Sequence, residues 1–194
     1  MFGSSKSSKF KKIKKLNEKA ALPEFKSNEI IKSLKIREKD KIADIGCGGG
    51  YFTFKFSDEV GKNGLVYAVD MEPEYLDYVK SETRIKGVKN IETVLAEENS
   101  LELENDLNLI FLRNVFHHIP EPLGYFKHLK QFLAPDGRIV IIDYKKTKKI
   151  NFVNLFGHYT PEEDILNVME KGGYLVLEKF DFLSSQSFTI FKKE

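Results

Sequence analysis

The stretch Ile42-Ala43-Asp44-Ile45-Gly46-Cys47-Gly48-Gly49-Gly50-Tyr51 decides how this chain folds. A short apolar run ends in an acid and then in glycines, as a buried parallel strand does where its carboxyl end turns sharply. Glycines at 46, 48, 49 and 50 carry no Cβ, so the backbone there can turn tightly and approach a ligand closely. Tyr51 to Val60 reads as the following helix, stopped at Gly61, with its first amides presented to the loop. In a dinucleotide-binding loop a third glycine stands three residues after the second. Here that place is Tyr51, so the pattern is Asp-x-Gly-x-Gly-x-Gly rather than Gly-x-Gly-x-x-Gly.

Outward from this loop, strand and helix patterns alternate. Leu65 to Val69 is a second strand closed by Asp70, and Pro73 opens a helix that runs to Gly87, with Glu72 and Glu74 at its positive end. Ile91 to Ala96 and Leu107 to Leu112 are the third and fourth strands. Pro122 to Leu133 reads as helix, Pro135-Asp136-Gly137 as a turn, and Arg138 to Asp143 as the fifth strand. Thr160-Pro161-Glu162-Glu163 predicts a capping box with proline at the first helical position, opening a helix that ends at Gly172-Gly173. Tyr174 to Phe182 and Ser187 to Phe191 alternate well enough to pair as an antiparallel hairpin. Pro23 to Leu34 predicts a leading helix. Such alternation implies an α/β fold, a mostly parallel sheet with helices on both faces.

Composition sets the outer bounds. A chain of 194 residues suits one domain burying roughly 70% of its unfolded surface. With 41% hydrophobic and 31% charged residues it reads as a globular protein that dissolves in water. The single cysteine, Cys47, excludes an internal disulfide and a thiolate-rich metal site, so no metal is expected and a reducing compartment fits. No apolar run approaches the ~20 residues of a membrane span, and the expected location is the cytoplasm. Seven lysines against one glutamate give residues 1–20 a charge of +6, so with the whole chain at +2 the remainder carries −4. Residues 1–22 are therefore set apart from a domain over 23–194, as a solvated tail or a short basic amphipathic helix. Phe10, Ile13 and Leu16 line one side of it, so such a helix could lie on a membrane surface through weak contact, on a nucleic acid, or on the domain itself. The acidic remainder argues against a broad nucleic-acid-binding face.

The run Ile42 to Gly50 resembles the first motif of class I methyltransferases, especially the small-molecule group that includes the quinone-biosynthesis enzymes. The resemblance extends over residues 23–180 and implies a three-layer sandwich with a seven-stranded sheet of order 3-2-1-4-5-7-6, strand seven antiparallel. It implies S-adenosylmethionine as cofactor and S-adenosylhomocysteine as product. Asp44, Gly46, Cys47, Gly48 and Gly50 would form the cofactor loop, and Asp70, beside Met71, would accept both ribose hydroxyls. Glu97 or Glu98 would take the adenine amino group, with Glu97 the better spaced. Arg113-Asn114-Val115-Phe116-His117-His118 is similar to the group's loop after strand four, where Asn114 would line the methionine end. The family often begins strand four with aspartate where this chain has Asn108, a residue still able to cap the neighbouring loop.

Methyl transfer from a sulfonium is a direct displacement, so alignment and exclusion of water are the protein's main tasks. A base is needed only where the nucleophile must lose a proton. Candidates are His158, in the segment after strand five, and His117, with His118 and Tyr144 beside them. Phe152, Leu155, Phe156 and Tyr159 would supply an apolar wall for the acceptor. The chain lacks the Asn-Pro-Pro-Tyr or Asp-Pro-Pro-Tyr loop of amino-methylating nucleic-acid enzymes, and its one cysteine lies in the cofactor loop. That argues against C5-cytosine and arsenic chemistry and leaves a small organic acceptor, methylated at O, N or C. Two other classes stay open: a non-catalytic protein that binds the same cofactor, and an NAD-type oxidoreductase, which Tyr51 argues against.

Overall fold

The computed structural model describes residues 3–97, 101, 103–145 and 159–194, with side chains of the first helix from Lys9 onward. Among the described residues, hydrogen bonding orders seven strands, numbered along the chain, as 3-2-1-4-5-7-6, the order the resemblance implied. Contacts divide the chain into two compact units, 1–102 and 103–194. Among the described residues no helix is long and apolar enough to cross a membrane.

The first unit holds the parallel strands β1 (Lys41–Ile45), β2 (Leu65–Asp70) and β3 (Ile91–Leu95). Asp44 pairs with Ala68 and Asp70 with Leu95, so the three carboxyl ends lie side by side. Ile42, Ala43 and Ile45 of β1, and Val66 to Val69 of β2, are buried, which is why these strands read as continuous apolar runs. The helix α3 (Tyr51–Val60) covers them with Phe52, Phe56 and Val60, one apolar row at i, i+4 and i+8. Helix α4 (Pro73–Lys86) ends at Gly87, whose left-handed φ of 67° lets its amide bond the carbonyls of Arg84 and Thr83.

Two features of this unit depart from or sharpen the sequence reading. The helix expected over Pro23–Leu34 is split into a 3-10 turn, Pro23–Phe25, and α2 (Ser27–Leu34). Lys26 between them sits in the left-handed region at φ 46°, and the Ser27 hydroxyl donates to the Ala20 carbonyl at 2.8 Å. That break lets Ile30, Ile31 and Leu34 of α2 turn inward. Residues 3–20 form a single helix, α1 (Gly3–Ala20). It packs on α4: Ile13 is 4% exposed, Phe10 meets the Tyr78 ring edge-on at 5.2 Å, and Lys9 pairs with Glu74.

The second unit is built on β4 (Leu107–Arg113) and the parallel β5 (Leu133–Tyr144). The last strand, β7 (Gln186–Lys193), runs antiparallel between β5 and β6 (Tyr174–Phe180), so the expected hairpin forms and β7 enters the sheet inside it. The helix read over Pro122–Leu133 is shorter: α5 (Pro122–Leu129) gives way to a 3-10 turn at Lys130–Phe132. Pro135-Asp136-Gly137 is no turn between elements. Leu107 pairs with Leu133 and Leu109 with Arg138, so β5 absorbs these residues as an excursion within the strand. The capping box does not form either. Thr160 donates its amide to the Tyr144 carbonyl at 3.1 Å, which ties it to the end of β5. Pro161 becomes the cap of α6 (Glu162–Lys171), its carbonyl accepting the Asp164 amide at 3.0 Å.

Candidate functional site

In the first unit, the end of β1 and the end of β2 are tied together through the glycine loop. The amides of Gly46 and Cys47 both donate to the Val69 carbonyl, at 2.8 and 3.0 Å. The Gly48 amide donates to Asp70 Oδ2 at 2.8 Å, and the Glu72 amide to Asp70 Oδ1 at 3.0 Å. Two backbone donors therefore fix the Asp70 carboxylate, while each oxygen keeps a lone pair for a further donor. Ala96 donates its amide to the Asp70 carbonyl at 3.0 Å, which brings the exit of β3 to the same place. Exposed Glu97 follows it, and Glu98 lies outside the described residues. Met71, next to Asp70, is exposed.

Asp44 is buried at the end of β1 and accepts the Thr53 hydroxyl at 2.5 Å. Burial raises its pKa to about 7; the Thr53 bond opposes the shift and the nearby charge of Asp70 adds to it. The Cys47 side chain packs with Ala68, Leu76 and Val79, so it belongs to the core, and its backbone alone borders the loop. Burial, then the charges of Asp44 and Asp70, push its thiol well above the ordinary range.

The loop glycines face different surroundings. Gly50 caps α3 at φ 78°, and a Cβ there would stand 2.9 Å from Val79 Cγ2. At Gly49 a Cβ would meet the Asn17 side chain at 2.4 Å, because Asn17 of α1 donates its amide to the Gly49 carbonyl at 2.7 Å. Over Gly48, at φ 52°, a Cβ would find no atom within 4 Å. The loop is open there, beside a fixed carboxylate. Open space beside an oriented carboxylate fits a nucleoside, whose ribose hydroxyls can donate to it.

In the second unit the end of β4 and the end of β5 are joined in a similar way. Asn114 adopts φ 57°, donates its amide to the Ile142 carbonyl at 2.8 Å, and accepts from Gln186 Nε2 at 2.5 Å. Arg113 in turn donates to Gln186 Oε1 at 3.1 Å. Val115 leads into a 3-10 turn, Phe116–His118, and the fully buried Asp143 holds that turn from β5. Asp143 Oδ2 accepts the His117 amide at 2.9 Å, while Oδ1 lies 2.7 Å from His117 Nδ1 and accepts the Tyr144 amide at 2.7 Å. Because a carboxylate can only accept, Nδ1 carries the ring proton and Nε2 is left as the basic nitrogen. The His117 side chain is 6% exposed, and its ring lies against that of exposed His118 with centroids 4.0 Å apart. Tyr144 and Tyr159 are half-buried. His158, Phe152, Leu155 and Phe156 lie outside the described residues.

The structure thus groups Asp44, the glycine loop and Asp70 in one unit, and Asn114 with His117 in the other. Four partners escaped the sequence reading: Asn17, Thr53, Asp143 and Gln186. Asp143 carried a usable signal, an acid following the apolar run of β5 as Asp70 follows that of β2. The others carried none; Asn17 acts 32 residues from its partner and Gln186 acts 72 away.

Comparison with known proteins places this geometry. A family model described as a methyltransferase domain matches residues 36–193. A SAM-dependent methyltransferase from Aquifex aeolicus has a similar solved structure, 27% identical, with a TM-score of 0.84 over 94% of this chain and 97% of that one. Among curated proteins, the arsenite methyltransferase of Halobacterium salinarum is 29% identical across 56% of this chain and 28% of its own length. The demethylmenaquinone methyltransferase of Lactococcus lactis is 28% identical across 59% and 49%. The chain spans half or less of the length of these two relatives.

Proposed function

Because the chain belongs to the methyltransferase-domain family, whose cofactor is S-adenosylmethionine, we propose that it methylates a small organic acceptor at oxygen, nitrogen or carbon. The observation that carries this reading is the Asp70 carboxylate, held by the Gly48 and Glu72 amides beside an open stretch of the loop. When bound, S-adenosylmethionine supplies a methyl group on a sulfonium, already activated for direct displacement. In this reading Asp70 accepts the ribose hydroxyls, Glu97 or Glu98 the adenine amino group, and Asn114 borders the methionine end. Asp44, Gly46, Cys47, Gly48 and Gly50 shape the loop, Cys47 through its backbone. The Asp70 carboxylate supplies the acceptor that a nucleoside's ribose hydroxyls need. Tyr51 in the place of a third glycine is what disfavours a dinucleotide.

His117 is the proposed base for an acceptor that must lose a proton, and Asp143 is its positioning residue. The buried carboxylate holds Nδ1–H, orients the ring and stabilises the imidazolium formed when Nε2 takes a proton. His158 is the alternative base. The demethylmenaquinone relative supports an acceptor related to a quinone; where that acceptor carries a hydroxyl, such a base would take its proton. A single cysteine disfavours arsenic as the acceptor. The reading includes action in the cytoplasm.

Isothermal titration with S-adenosylmethionine and with NAD, followed by labelled-methyl transfer to a panel of quinols, phenols and amines, tests the proposal. Binding of S-adenosylmethionine alone and label in a quinol or phenol are expected. Binding without incorporation into any acceptor would mark a non-catalytic cofactor-binding protein, and preference for NAD would refute the cofactor assignment. For the base, His117→Ala should lower kcat and abolish the acidic limb of the pH–rate profile, while Asp143→Asn shifts that limb. A profile unchanged in both variants removes His117 from the chemistry.

A further inference from the structure

We propose that the outer face of α1 is a docking surface for an anionic lipid bilayer, and that it seats the bilayer beside the cofactor loop. The inner face of the helix is fixed by Ile13, 4% exposed, by Phe10 on Tyr78, by Lys9 on Glu74 and by Asn17 on Gly49. Two residues along an α-helix turn it by about 200°. Lys11 and Lys15, two residues either side of Ile13, therefore point the opposite way, and Lys19 continues their row at i+4 spacing. Lys12 and Lys14 flank the row, and all five of these lysines are exposed.

Apolar side chains edge this face. Leu16, about 60° round the helix from Ile13 and next to Lys12 and Lys19, is 48% exposed, and Leu22, just beyond the helix, is 43% exposed. A row of lysines edged by exposed leucines matches a bilayer interface, where charge is drawn to anionic headgroups and apolar side chains enter between them. Charge also selects the orientation. Residues 1–20 carry +6 against −4 for the remainder, so an anionic surface attracts this face and repels the rest. A helix is about 10 Å thick, so docking would leave the Gly49 carbonyl, on the other side of α1, about one helix diameter from the headgroups. An acceptor dissolved in the bilayer would then be within reach. This inference goes beyond the methyl-transfer reading without needing it, because docking and turnover are measured separately.

The test is sedimentation of the full chain with vesicles of phosphatidylcholine alone, or containing about 30% phosphatidylglycerol, at low salt and at about 0.5 M salt. Binding is expected with phosphatidylglycerol alone, and lost at high salt. Each lysine at an anionic surface gains about fivefold in affinity, so Lys11→Gln, Lys15→Gln and Lys19→Gln together should weaken binding about a hundredfold. Melting temperature and cofactor affinity should be unchanged in that triple variant, since none of the three side chains touches the inner face. Leu16→Ser should weaken binding further at constant charge. Failure of the native chain to pellet with anionic vesicles, or equal pelleting with neutral ones, overturns the proposal. So does a short duplex RNA that displaces the vesicles at lower concentration than inorganic polyphosphate does, because the face would then be a nucleic-acid site. Loss of methyl transfer with vesicle binding intact would count against the enzymatic reading and leave the docking surface standing.

Discussion

Asp44→Asn should remove a pH dependence that one buried carboxyl imposes on the whole fold. Asp44 titrates near 7 in the folded chain against 3.8 for an ordinary aspartate, because burial disfavours its charge. Between those values the unfolded chain has lost a proton that the folded chain keeps, so stability falls as pH rises, by about 1.4 kcal/mol per unit. The fall begins near pH 4 and levels off above pH 7. From pH 5 to pH 8 the loss from this group is about 3 kcal/mol, an order-of-magnitude figure. Asparagine has nearly the same shape, can still accept from the Thr53 hydroxyl through its Oδ1, and does not titrate. Urea unfolding of both proteins, without cofactor, at pH 5, 6, 7 and 8 measures the difference directly. The variant should gain on the parent by about 3 kcal/mol across that range, and other titrating groups cancel in the comparison. Parallel curves for the two proteins would refute the argument, since Asp44 would then be ionised in the fold at pH 5.

Asp70→Ala should weaken S-adenosylmethionine binding at least tenfold by titration calorimetry, because it removes a charge-assisted acceptor worth about 1.5–3 kcal/mol; the loop also loses its bond from the Gly48 amide. Gly50→Ala should cost about 2–4 kcal/mol in chemical unfolding, combining a left-handed φ of 78° with a Cβ 2.9 Å from Val79. Gly48→Ala, with open space for its Cβ, should cost the strain alone, about 1–2 kcal/mol, and equal losses at the two positions would contradict the geometry. Cys47, buried with its thiol pKa raised, should resist a thiol reagent at pH 8 in the native state and react promptly in denaturant; rapid native labelling would mean the loop opens.

Local chemistry was legible in the sequence wherever a residue's role depends on its neighbours along the chain. Tyr51–Val60 was readable to the residue because a glycine loop opens it and Gly61 closes it. The strand ends at Asp44 and Asp70 were visible as acids following apolar runs. Where tertiary ties compete with local preference, the reading slipped. Thr160 had the composition of a helix cap, yet the Tyr144 carbonyl claims its amide and the helix starts later. Pro135-Asp136-Gly137 has turn composition, yet pairing on both sides of it keeps it inside β5. Pro23 does open a helical turn, but the Ala20 carbonyl draws Ser27 away and breaks the helix at Lys26. Of the candidate site, the glycine loop was readable because its signal is contiguous. Asn17 over Gly49 and Gln186 beneath Asn114 were not, since nothing local marks a polar side chain for a distant backbone or amide.

The placement of β7 between β5 and β6 has a consequence for the order of events during synthesis. β5 offers Ile139, Val140, Ile141 and Ile142 along one edge, and their partners Phe191 to Phe188 belong to β7. Until those residues have left the ribosome, this apolar edge has no mate, and an unpaired edge of that composition is a template for wrong pairing. The first unit, whose strands pair in the order β1, β2, β3, can close its own ladder without waiting. The glycine loop therefore belongs to a part whose strands pair locally, and the Asp143–His117 pair to a part that waits for β7. A nascent chain stalled before Gln186 would carry a formed glycine loop beside a sticky, half-built sheet.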